Sequence, residues 1–188
     1  MSWIQLLIAS LLMSTTTPIG SPEALDRNLK EFQQRVHKYV QLQRSIKGQQ
    51  PKISKGANPA QITIHRKAMA EALQASRTQA QPGDIFFEGI KPYFVQVIHD
   101  ELKGAKGSSA RQMIKVGNPK DEGNAVPLRV NAVYPDGAPL SAVPPGLLQK
   151  LPTLPPELDY RFVGRNLILR DVDANIIVDF IPEAAPAA

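Results

Sequence analysis

The sequence predicts an α+β protein, and three observations carry that reading. Apolar residues recur at helical spacing as far as Lys103, the period changes to two beyond Ala125, and the last apolar runs are separated by tight-turn residues. In outline this is an N-terminal signal helix, about three further helices and a C-terminal antiparallel β-meander of about four strands. The expected divisions are residues 1–20, a signal peptide or anchor; 21–103, a helical segment with a basic face; 104–125, a polar linker; 126–181, a small β-module; and 182–188, an Ala/Pro tail. With 188 residues, 43% of them hydrophobic, the chain can bury a core of its own.

Residues 1–20, MSWIQLLIASLLMSTTTPIG, carry no charged side chain, and an apolar run from Trp3 to Met13 is followed by small polar residues. That order is the one found in secretory signals, so a periplasmic or secreted protein is expected. The run is shorter than the roughly 20 residues that span a bilayer. Extended to Ile19 it approaches that length, which keeps an uncleaved membrane anchor formed by residues 3–19 as the alternative. Such an anchor, followed by Lys and Arg, would hold the body on the cytoplasmic side. Cysteine is absent, which removes lipoprotein acylation, disulfides, thiolate metal sites and cysteine nucleophiles together.

Ser21 as N-cap and Pro22 at the first helical position open the first helix, and Gly48 closes it. Leu25, Leu29, Phe32, Val36, Tyr39, Val40 and Ile46 form one stripe, with Arg27, Lys30, Lys38 and Arg44 on the opposite side. Asn58, Pro59 and Gln61 are placed as cap, first turn and capping-box partner of a second helix. Its stripe is Ile62, His65, Met69, Leu73 and Ala80, up to the break QPGD at 81–84. In a third helix, running to Lys103, Ile90, Tyr93, Phe94, Val97, Ile98 and Leu102 wrap more than half the circumference, so it should be largely buried. Pro92 starts or kinks it. In the polar stretch that follows, SSARQMIK reads as a short helix capped by a serine. Leu147, Leu148 and Leu151 mark one helical turn inside a connector with six prolines between Pro139 and Pro156.

Leu128, Val130, Ala132 and Tyr134 alternate with Arg129 and Asn131, the pattern of a strand ending at PDG. Gly164-Arg165 then makes a two-residue II′ turn. That turn sets Val163 opposite Asn166, Phe162 opposite Leu167, Tyr160 opposite Leu169 and Asp159 opposite Arg170, an attractive charge pair. A four-residue loop from Asp171 to Ala174 would next pair Leu169 with Ile176 and Leu167 with Val178, keeping one apolar face continuous.

Asp171, Asp173 and Asn175 are spaced like the front half of a calcium loop and are the chain's metal candidates. An EF-type loop needs Gly at its sixth position and Glu at its twelfth, and here these are Ile176 and Pro182. Asp and Asn also bond their own backbone in turns, so the stretch is read as a structural turn and no metal site is expected. His65 and Met69, one turn apart on an apolar stripe, read as core residues rather than copper ligands. His99, Asp100 and Glu101 diverge by about 100° per residue on a helix and cannot meet at one atom. His37 falls on the basic side of the first helix. GAKGSS from Gly104 and the PxxP at 152–155 have plainer readings as a loop and a stiff connector. No HExxH, nucleophile elbow, phosphate loop or dinucleotide motif occurs, so no catalytic residue and no cofactor are assigned.

The charge is lopsided. Residues 21–67 hold ten Lys/Arg against three Asp/Glu, net +7, while 68–188 hold twelve against fourteen, net −2. A basic amphipathic helix suits anionic lipid headgroups, with Arg27, Lys30, Lys38 and Arg44 as the contacts. Nucleic acid is not expected, because aromatic residues are only 6% of the chain and none is interleaved with the charges.

The stretches VPLRVNAVYPDGAPLSAVPPGLLQKLP and LPPELDYRFVGRNLILRDVDANIIVDFI resemble the C-terminal module of uncharacterised exported bacterial proteins. Their shared pattern is a proline-leucine stretch, a tyrosine-containing strand, a VG turn, an apolar strand, an aspartate turn and a strand ending near IVDFI. More distantly, the ending is similar to that of the periplasmic nickel/cobalt-homeostasis family. The resemblance covers residues 126–181 and implies an exported location and a small β-module, with no catalytic residue to carry over. The expectation is an exported, non-enzymatic binding or envelope-associated protein, whose partner is a protein or envelope component and which touches anionic membrane weakly. The alternative is a periplasmic metal-handling protein using Asp171, Asp173 and Asn175 or the histidines; an enzyme is the third reading.

Overall fold

The computed structural model describes residues 21–187 apart from Lys55, Lys106 and Asn124. The expected signal peptide or anchor, residues 1–20, lies outside them. The class is α+β. Among the described residues there are five helices rather than about three, and the antiparallel sheet has three strands rather than four. In order these are α1 (Pro22–Gln49), α2 (Pro59–Ser76), α3 (Lys91–Leu102), α4 (Ser108–Lys115), α5 (Pro145–Leu148), β1 (Leu158–Val163), β2 (Asn166–Asp171) and β3 (Ile176–Ile181).

Ser21 caps α1 through Oγ, which accepts the Ala24 N–H at 3.2 Å, with proline following in the first turn. Phe32, Val36, Tyr39, Val40 and Ile46 are buried as the stripe predicts. Leu25 is not: it is 36% exposed, because the first turn buries Ala24 instead, with Asn28 and Leu29 half-buried behind it. Asn28 Nδ2 donates to the Gly89 carbonyl at 2.8 Å, which ties this end of α1 to the 87–89 turn. The Asn58/Gln61 capping box is complete at both bonds, but α2 ends at Ser76, short of Ala80, and its Ile62 is exposed. Proline in the first turn starts α3. Phe94, Ile98 and Leu102 line its buried stripe, with Tyr93, Val95 and Val97 half-buried beside it. The expected serine cap of α4 is absent, since Gly107 takes the cap position in αR and the chain enters through a preceding turn, Ser108 N–H to Ala105 O.

The sheet order is β1-β2-β3. The first hairpin has the register expected, Tyr160 opposite Leu169 and Asp159 opposite Arg170, with Gly164 at φ 59° and Arg165 at negative φ. The second differs. Asp171 pairs with Ile176 and Arg170 with Ile177, then the partner of Leu169 is Asp179 and that of Leu167 is Ile181. The loop is therefore Val172–Asn175, because Asp171 ends its strand by taking the Ala174 N–H at 2.7 Å and Asn175 turns the chain at φ 53°. The jump from Ile177 to Asp179 is a β-bulge with Val178 as the extra residue.

The fourth predicted strand shrinks to one bridge, Val133 with Ile176. Asn131 N–H reaches Ile177 O and Tyr134 N–H reaches Asn175 O, but a turn from Arg129 to Ala132, with Asn131 at φ 63°, ends the pleat at once. The alternation still marks which side chains go in, since Ala132 and Tyr134 are buried.

One face of the sheet, with Tyr160, Phe162, Leu167, Leu169, Ile176 and Val178, joins a core of Phe32, Met69, Leu73, Phe86, Phe94 and Ile98 from the helices and the α2–α3 connection. Phe32, Phe86, Phe94 and Tyr160 form its aromatic centre, with ring centroids 5.0 Å apart for Phe86–Phe94 and 6.5 Å for Phe86–Tyr160. The other face carries a smaller cluster of Tyr134, Val163, Ile168 and Ile177.

Candidate functional site

The Asp171–Asn175 turn sends its three oxygen-bearing side chains to three different places. Asp171 is fully buried, and its carboxylate accepts the Tyr39 hydroxyl at 2.8 Å as well as the Ala174 N–H. Burial pushes this carboxyl above the usual carboxylate range, against the lowering effect of those bonds. Asp173 faces the last turns of α1, where it accepts Lys47 Nζ at 2.6 Å and Gln43 Nε2 at 3.0 Å. Burial alone would raise it, but the bonds from Lys47 and Gln43 hold it below its ordinary value. Asn175 lies on the far face, bonded to Arg170 Nη1 and to the Tyr134 carbonyl, each at 2.8 Å. The three metal candidates are thus engaged by protein donors and do not converge. Among the described residues no group of three or more His, Asp or Glu side chains is placed to hold a metal ion.

The four cations predicted on the outward side of α1 divide. Arg27 and Lys38 stand exposed with no ion-pair partner among the described residues. Lys30 pairs with Asp26 at 2.7 Å in open solvent, and Arg44 crosses to Glu157 at 2.7 Å, so it ties the helix to the start of β1. The Arg44 bond also holds Glu157 below the usual carboxylate range. Lys47 adds a second tie to Asp173. Arg35 turns inward over the Phe87 ring at 4.4 Å and donates to the Asp84 carbonyl at 2.7 Å.

The histidines stay apart. Met69 is fully buried, whereas His65 lies half-buried beside the α1–α2 loop and His37 bonds Gln41 at 2.8 Å. Asp100 bonds Gln96 and Lys103 while Glu101 bonds Lys150, so neither turns toward His99.

Two polar clusters escaped the sequence reading. Arg77, at the end of α2, lies over the Tyr39 ring at 5.0 Å and donates to Asn131 Oδ1 at 2.5 Å and Val178 O at 3.1 Å. Gln74 and Asn131 complete the chain of bonds, which links α1, α2 and the 129–132 turn. The second is Asp179, fully buried, whose carboxylate accepts the N–H groups of Gly83, Ile85 and Phe86 at 2.8 to 3.0 Å. A lone acid in the apolar run IIVDFI was the available signal for it. An apolar groove of about 460 Å³ at the outer edge of β1, lined by Val143, Leu148, Pro152, Leu154 and Tyr160, was also not foreseen.

Among the described residues no helix is long and apolar enough to cross a membrane. Set beside protein-family models, curated proteins and solved structures, the chain matches none.

Proposed function

We propose that the protein is an exported, non-enzymatic binding protein that works against an anionic envelope surface. The observation that carries this reading is the division of its charge: the acids of the turn, of β1 and of β3 are taken up by internal bonds, whereas Arg27 and Lys38 have no ion-pair partner among the described residues on the outward side of α1. Export is supported by the uncharged residues 1–20 and their apolar run from Trp3 to Met13.

Each Lys or Arg near an anionic membrane contributes about 1 kcal/mol, so Arg27, Lys30 and Lys38 give weak attachment that fades as salt shortens the screening length. Co-sedimentation with vesicles of phosphatidylglycerol and of phosphatidylcholine, at low and physiological salt, tests it. Binding is expected to the anionic vesicles alone, to weaken with salt, and to fall about thirtyfold in the Arg27→Gln/Lys38→Gln variant, which removes two such contributions. Equal binding to both lipids, or to neither, overturns the reading.

A further inference from the structure

From Phe32 to Ala70 the chain carries eight Lys/Arg and not one Asp or Glu. The middle of that run is the corner between α1 and α2. Pro51 to Ser54 and the first turns of α2, Pro59 to Ile64, all face solvent. Besides Ile62, two isoleucines stand exposed there: Ile53 at 40% and Ile64 at 68%. Scattered exposed apolar residues need no explanation, but these two line one depression of about 350 Å³, together with Pro51, Ala57 and Ala68. Ile64, Lys67 and Ala68 share one side of α2 by their three- and four-residue spacing. Of the nearby cations, Arg44, Lys47 and Arg66 are held by Glu157, Asp173 and Asp136. Among the described residues Lys52 has no such partner, and Lys67 is 77% exposed and 3.9 Å from Glu71, a loose pair.

We propose that this corner is a membrane-docking tip, inserting Ile53 and Ile64 at the boundary between headgroups and acyl chains of an anionic bilayer while Lys52 and Lys67 meet lipid phosphates. The inference rests on the anionic-surface reading above and adds the point of insertion. An apolar centre flanked by cations, with Glu71 only a loose partner of Lys67 at 3.9 Å, is complementary to a negative lipid surface. Nucleic acid would want a stacking Phe, Tyr or Trp, and among the described residues the depression has only the half-buried His65 as an aromatic ring.

The absence of cysteine makes the test local, since a single introduced thiol carries the only label. The full chain bearing Ile53→Cys, Ile64→Cys or, on the outward side of α1, Gln34→Cys is labelled with a polarity-sensitive fluorophore and mixed with vesicles of either lipid. On phosphatidylglycerol the labels at 53 and 64 are expected to shift to the blue and brighten about threefold, and the label at 34 to stay unchanged, because interfacial insertion removes only the tip from water. In unlabelled chain, Ile53→Ser/Ile64→Ser is expected to bind those vesicles about tenfold more weakly, and both positions are exposed enough to leave the fold intact. A response at 34 with none at 53 and 64 overturns the tip while leaving the anionic-surface reading standing. No response at any label, with no co-sedimentation, overturns both. Equal response on phosphatidylcholine removes the role of charge, and a response to duplex DNA instead of vesicles assigns the corner to another ligand.

Discussion

Asp171 and Asp173 sit two residues apart and are shifted in opposite directions, which gives the turn a readable pH signature. Asp171 is raised chiefly by burial, so its favourable contribution is fully present below the unfolded value and is lost as pH rises through the folded one. Asp173 is lowered by Lys47 and Gln43 against its burial, so its contribution is present above the unfolded value and is lost as pH falls through the folded one. Urea denaturation between pH 3 and pH 7 should therefore show Asp171→Asn gaining on the parent as pH rises and Asp173→Asn losing ground over the same range; parallel profiles would contradict this. Tyr39→Phe removes a donor from a fully buried carboxylate and should cost about 2 kcal/mol in the same assay. The turn itself was legible, because Asp171 takes the Ala174 N–H and Asn175 adopts a positive φ, as Asp and Asn do in turns, although Asp173 bonds α1 rather than its own backbone. Arg77 was not, since nothing in helical periodicity tells that a residue just past the last turn will fold back over Tyr39 and reach Asn131.

At the scale of elements, the two hairpins show what fixes register. Gly164-Arg165 is a two-residue loop whose geometry leaves one pairing, and Asn118 clamps Gly164 at both N–H and carbonyl, at 2.8 and 2.9 Å. Gly164→Ala forces a Cβ onto φ 59° and to within 2.8 Å of Lys120 Cδ, so a loss of about 1 to 2 kcal/mol is expected by thermal unfolding. The longer Asp171–Ile176 connection leaves freedom, and the bulge uses it. Leu169 faces the helices, and by pairing with Leu169 Asp179 is brought to that same side directly after Val178. Strict alternation would have sent Asp179 to the far face, away from the N–H groups of 83–86. Period-two reading therefore located the strands and missed this acid. Asp179→Ala would strand the buried N–H groups of Ile85 and Phe86 and the half-buried one of Gly83 and should cost at least about 3 kcal/mol, with loss of exchange protection at Ile85 and Phe86; a near-neutral variant would mean the 83–86 turn is held by other contacts.

On the scale of the whole molecule, α1 is where the proposed export route and the folded body meet. Ser21 is its cap, proline fills the first turn, and Ala24 is the first buried residue, so the body needs the chain from Ser21 onward. A leader peptidase cutting after Ala24 would delete the cap, a loss of about 1 kcal/mol, and a core residue with it. A cut after Gly20 would place the new α-amino charge on the cap residue itself, next to the positive end of the helix dipole, which is unfavourable by a few tenths of a kcal/mol up to about 1. A cut after Thr16 leaves Thr17 to Gly20 as a short spacer and avoids both costs. For a processed chain, N-terminal sequencing of the protein recovered outside the cytoplasm should accordingly find a start between residues 17 and 21. A mature chain beginning at Leu25 would mean that cleavage ignores the integrity of α1, and a cytoplasmic chain retaining Met1 or Ser2 would remove the export proposal itself.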